Sequence, residues 1–280
     1  MSALTFIAEV AAEFSAVATL STAAQLELKI SLARADKRSV TYDILAYVVG
    51  EDVFAKEKTP SHLPAFCPER HINSDGSFCL YWKEHEGMAI TDAASACHWW
   101  QTLREFLLLQ ERAKKLRRWP GEGWAHGTAA IHQKNAEDAA AALGSAFAAA
   151  LNEQRLAVKR GPKVSHPSGP TLRVHLDGEH VYTVWRKSKR LTNKRRPCIC
   201  TRGKKGRRTT YRSCGDHALQ AAQLAVSIQL WKETEEAFWD AFKNDACCGT
   251  CDNCPLKTDS VEQLNEPHPD TILDCIAESQ

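Results

Sequence analysis

The residues best placed to do chemistry are cysteines, and Cys79 stands apart from the rest. Asp75-Gly76 demands a tight turn just before it, so its backbone is held at the end of a loop. The polar run HINSDGS leading into it suits a surface groove, and the Pro-rich approach LPAFCPER suits rigid extended packing. A cysteine between Phe78 and Leu80 is ordinarily a small buried hydrophobe, but this setting argues for a thiolate nucleophile. His71 lies upstream, with an imidazole whose reference pKa of about 6.5 suits hydrogen-bond donation or proton transfer. Its plainer role is to order the turn. Cys67 and Cys97, in the same half, read as core cysteines.

The other cysteines have metal-ligand spacing. Cys198 and Cys200, a basic loop, then Cys214 with His217 make a workable tetrahedral zinc set. CCGTCDNC supplies Cys247, Cys248, Cys251 and Cys254. These eight donors suffice for two structural zinc ions, or for one if the segments share ligands. Adjacent Cys247 and Cys248 rarely serve one metal equally. Closed sites of this kind contribute folding energy and leave no open catalytic position.

The chain has 11 cysteines, an odd number, and its N-terminus MSALTFIAEVAAEF carries Glu9 and Glu13 without a basic leader. That start reads as an amphipathic helix, so a cytoplasmic protein with metal-binding or catalytic cysteines is expected, not a disulfide framework. No stretch reaches the roughly 18 consecutive apolar residues that a membrane span needs. Between Arg186 and Arg212 stand 13 Lys or Arg and no acid, leaving 23 basic against 34 acidic residues elsewhere, a charge near −11. Such a basic segment suits phosphate contacts with nucleic acid or docking of an acidic protein partner. Trp185 and Tyr211 are a thin set for base stacking.

These residues need a scaffold. Apolar spacing predicts a helix over 3–18, strict alternation a strand over 25–32, and β-branched and aromatic content a second strand over 39–49. A helix capped by Thr91 or Asp92 runs on to Pro120-Gly121, and an Ala-rich helical tract covers 128–159. Gly161-Pro162 and HPSGP mark a linker, Asp177-Gly178 closes a hairpin over 171–186, and a last helix spans 216–243.

Residues 63–82, LPAFCPERHINSDGSFCLYW, resemble the catalytic segment of ubiquitin-conjugating enzymes, and INSDGSFCL is similar to that family's Cys-bearing pattern without a gap. The helix, strands, Cys, Trp-led helix order (Trp99-Trp100) agrees over residues 1–130, and WPGEGWAHG is similar to the tail of bacterial members. His-Pro-Asn is missing. Aligned without a gap, His71 falls where the family's oxyanion Asn stands; taking His71-Ile72-Asn73 as the relic puts Asn73 there, with a loop two residues short. His126 is a second candidate assistant. PCICTRGKKG is similar to the SEC-C zinc motif, with a longer loop before Cys214, and CCGTCDNC to the zinc subdomain of RecQ-type helicases.

The resemblance implies an α+β fold: a conjugating-enzyme-like catalytic domain over 1–127 (an antiparallel meander with flanking helices), a helical connector over 128–165, a cysteine-rich zinc domain over 166–258 and a tail over 259–280. It implies thioester transfer at Cys79 from a ubiquitin-like protein or target C-terminus to an acceptor. It also implies an activating-enzyme-like partner, a setting in bacterial antiphage defence, and targets such as a cGAS-like nucleotidyltransferase. The missing His-Pro-Asn keeps open an inactive scaffold whose zinc module binds nucleic acid or a partner.

Overall fold

A computed structural model describes residues 1–34, 37–82, 88–121, 123–162, 166–201 and 209–257. The N-terminal body is a four-stranded antiparallel meander in the order β1 (Ala16–Thr22), β2 (Gln25–Ala33), β3 (Ser39–Val49), β4 (Asp52–Glu57). Alternation along β2 and β3 turns Leu26, Leu28, Ile30 and Leu32, and Val40, Tyr42, Ile44 and Ala46, into one core. Helix α2 (Ala93–Leu116) lays Trp99, Trp100, Leu103, Phe106 and Leu107 on that face. Asp92 is its cap, in a reciprocal capping box with Ser95.

The expected helix over 3–18 is corrected. Helix α1 (Ala3–Glu9) is followed by a single 3-10 turn, and β1 then begins at Ala16. Leu4 and Ile7 are buried, but Val17 is 66% exposed, so its helical spacing was coincidental. Pairing with β2 decides this segment.

Past Glu57 the chain leaves regular structure yet stays anchored. The buried Glu57 carboxylate accepts the main-chain N–H groups of Ser61, His62 and Leu63. Phe78 N–H donates to Ala55 at 2.8 Å, and Lys56 and Ser77 form an isolated bridge, so the segment before Cys79 runs along the edge of β4.

The C-terminal body is larger than a small zinc module. Helices α3 (Ala129–Leu143) and α4 (Ser145–Asn152) share one core with α5 (His217–Ala241) and a second antiparallel sheet. Its order is β5 (Leu156–Arg160), β6 (Thr171–Leu176), β7 (Glu179–Trp185), β8 (Arg190–Leu191). The Asp177-Gly178 hairpin forms, with φ of 52° and 80°.

Residues 128–165 are therefore not a connector. Alanines 136, 139 and 140 are buried in that core, and β5 pairs with β6 across the supposed linker. The change of body falls between the end of α2 and the start of α3 instead. The tail over 259–280 lies outside the described residues, as does 202–208 of the basic segment.

Candidate active site and metal centres

A short ladder builds the Cys79 site. Ile72 and Phe78 face each other across it, Asn73 N–H donates to Ser77 at 2.8 Å, and Cys79 N–H donates to His71 at 2.8 Å. The turn is closed by the Asp75 carboxylate, which accepts from Ser77 N–H and its hydroxyl, and by Gly76 at φ 79°. Residues opposite one another in such a ladder share a face. Ile72 and Phe78 enter the core, while His71, Asn73, Ser77 and Cys79 face a groove of about 850 Å³. Cys79 is exposed.

Both bodies line that groove. Trp119, Trp124 and His126 come from the segment between them, Phe238 from α5 and Phe242 from the residue that caps its C-terminal end. Trp82 and Trp124 lie 5.2 Å apart near Cys79. This apolar wall from α5 was not legible in the sequence, because it depends on how the two bodies dock.

His71 and His126 differ in charge. Burial, together with the charge on His126, pushes the His71 pKa down to about 4, only partly opposed by Glu235. At neutral pH it is an uncharged ring with one N–H to donate, not the near-neutral acid–base group its type implied. Trp119 packs on it at 4.9 Å, and Gly123 approaches so closely that a Cβ there would lie 2.7 Å from His71 Nε2. His126 donates from Nδ1 to Glu235 at 2.5 Å and from Nε2 to the Pro68 carbonyl at 3.2 Å. Two acceptors on two ring nitrogens describe an imidazolium. Burial opposes that charge, but the Glu235 hydrogen bond and charge and the Pro68 carbonyl outweigh it, so the His126 pKa is raised. His126 thus ties α5 to the loop that carries His71. Asn73 is exposed, and its amide donates to Ser77 at 3.0 Å.

The first cysteine set converges. Cys198, Cys200, Cys214 and His217 hold all their donor atoms within 4.8 Å of one another. Cys200 Sγ lies 3.3 Å from Cys198 and from Cys214, and His217 Nδ1 lies 3.3 Å from Cys198 and Cys214. Zn–S bonds of about 2.3 Å need donor separations of about 3.7 Å, so this set fits a tetrahedral metal after a small expansion. The second set does not share ligands with it. Cys251 and Cys254 are buried beside Cys247, Cys248 and, unforeseen from the sequence, Cys67.

In the described parts of the basic segment Lys187, Lys189, Arg190, Lys194, Arg195, Arg196 and Arg212 are exposed, whereas its aromatic neighbours are engaged. Tyr211 is buried, Trp185 stacks on His166 at 4.1 Å, and Arg186 pairs with Glu233. Tyr211 therefore offers no face for base stacking, and one face of Trp185 is already taken.

Residues 14–121 match the prokaryotic E2 domain, and residues 125–256 match the cysteine-rich domain that lies C-terminal to E2 domains. The chain thus carries a prokaryotic E2 domain followed by the cysteine-rich domain that accompanies it. Its second match takes in α3 and α4, in accord with the single core they share with α5. No curated protein and no solved structure matches the chain. Among the described residues, no helix is long and apolar enough to cross a membrane.

Proposed function

We propose that this E2 protein is a thioester transferase with Cys79 as its nucleophile. The supporting observation is an exposed thiol on the same face as His71, at a groove lined by both domains. The Cys79 thiolate attacks the thioester carbonyl of a ubiquitin-like protein, or of a target C-terminus, carried by an adenylating activating enzyme. The carrier's C–S bond breaks and its thiolate leaves. An acceptor amine then attacks the Cys79 thioester, loses a proton, and Cys79 leaves as thiolate. His71, as a neutral N–H donor, stabilises the tetrahedral oxyanion; such a donor contributes roughly 3 kcal/mol. Zinc in the Cys198, Cys200, Cys214, His217 set is structural. The basic segment docks an acidic protein partner in preference to nucleic acid, since its aromatics are engaged. A role in bacterial antiphage conjugation, on substrates such as a cGAS-like nucleotidyltransferase, belongs to the same reading.

The test is a trapping assay with activating enzyme, ATP and the ubiquitin-like partner. A reductant-sensitive adduct is expected with the wild type and with Cys97→Ala, and none with Cys79→Ala. No adduct with the wild type, under conditions that charge the activating enzyme, defeats the reading.

A further inference from the structure

We infer that Cys67, from the E2 domain, joins Cys248, Cys251 and Cys254 in a second metal centre that bolts the two domains together. The approach is already close: Cys248 Sγ lies 3.0 Å from Cys67 Sγ, and Cys67 also hydrogen-bonds with Cys251. Cys67, Cys251 and Cys254 are buried, with Phe66, Trp239 and Phe242 packed around them, so the cluster is shielded from water. The Thr250 and Leu256 main-chain N–H groups point at Cys248 Sγ and Cys254 Sγ, two residues back in each case. Donors of this kind stabilise thiolates as metal ligands. Cys247, half-buried like Cys248, accepts from Gly249 N–H.

Charge supplies a second, independent argument. Arg70 is only 1% exposed, and among the described residues its guanidinium donates to neutral acceptors: the Gln110 side chain at 2.7 Å, the Gln110 carbonyl at 3.2 Å and Thr250 Oγ1 at 3.1 Å. A buried cation without an anionic partner is costly. Thr250 Oγ1 is itself 3.0 Å from Cys248 Sγ, so the guanidinium sits beside the cluster. Four thiolates on one divalent ion keep a net negative charge, which is the counter-charge that Arg70 lacks. Arg117, at the end of α2, grips the same loop through Asp252 at 2.7 Å and the Gly249 carbonyl at 3.0 Å. Thiolate donors in a closed site select zinc among the common divalent ions.

The position of Cys67 gives this centre a reach beyond stability. Cys67 exchanges two main-chain hydrogen bonds with Ile72, at 3.1 and 3.0 Å, and Ile72 bridges to Phe78 beside Cys79. Metal at this junction sets the loop that carries His71 and the ladder that carries Cys79.

The full chain, purified under reducing conditions, should hold two zinc ions, and Cys67→Ser should hold one. Loaded with cadmium-113, the wild type should give two resonances, one in the four-sulfur range and one shifted toward the three-sulfur, one-nitrogen range. This second measurement reads the site without any variant. Two zinc ions retained in Cys67→Ser, a single cadmium resonance, or a Cys67–Cys248 disulfide in place of the metal would each overturn the assignment. None of these readouts depends on transferase activity.

Discussion

His71 and His126 have ring centroids 5.9 Å apart, yet they occupy opposite protonation states. The difference comes from partners: apolar burial around His71, and a carboxylate and a carbonyl around His126. A ring-nitrogen NMR titration should find His71 neutral until the pH approaches about 4, and His126 still charged above its ordinary 6.5. A His71 that titrates near 6.5 would contradict this assignment. Replacing His71 with Ala should slow discharge of the Cys79 thioester by about 100-fold or more, while the adduct still forms. Single-turnover discharge kinetics would measure it, and an unchanged rate would remove His71 from the transfer step. In the sequence the Asp75-Gly76 turn singled out Cys79, and the family resemblance pointed to His71 and His126. The charge states were not, because Trp119, Gly123 and Glu235 that set them are far away in the chain.

At the scale of elements, the loop holding His71 is braced from α5. Burial raises the Glu235 pKa, but the hydrogen bond and charge of His126 outweigh it and leave it lowered. A lowered carboxylate pKa contributes stability above its ordinary 4.5, lost as pH falls; a raised imidazole pKa contributes stability below its ordinary 6.5, lost as pH rises through the folded value. The strut is therefore strongest between about 4.5 and 6.5. Glu235→Gln should lower the melting temperature most in that window, with the gap to wild type closing at higher pH. A gap that is constant from acid to alkaline pH would refute the ion pair. Gly123→Ala, whose new methyl would lie 2.9 Å from His71 Cε1 as well, should displace the ring and slow discharge without unfolding the chain. A crystal structure of that variant with an unmoved His71 would contradict the packing account. Strands β2 and β3 were readable from alternation and β-branched content, and the β6–β7 hairpin from its Asp177-Gly178 turn, despite a register shift at Val174/His175. Strands β1 and β4 are short, and their state is decided by the partner strand, which local spacing does not reveal.

For the molecule as a whole, the cysteines divide by work: one at the groove, one set within the C-terminal core, one set at the junction. Cys198, Ile199 and Tyr211 are buried in the same core as α3 and α5, so a metal bound there would support that whole body. Chelation should lower its melting temperature and helical signal, reversibly on return of zinc. An unaltered melt after complete metal loss would show the first centre to be dispensable. Metal-ligand spacing disclosed both cysteine-rich segments in the sequence. Cys67 was hidden because its partners lie roughly 180 residues further along and only docking of the domains unites them. The proposed transfer chemistry is tested most directly by Cys79→Ser. With the activating enzyme, ATP and the ubiquitin-like partner, it should accumulate an oxyester that survives reductant and is cleaved by hydroxide, mapped by peptide mass spectrometry to position 79. An adduct mapped to any other residue, or a reductant-sensitive adduct that persists in Cys79→Ser, would contradict Cys79 as the acyl carrier.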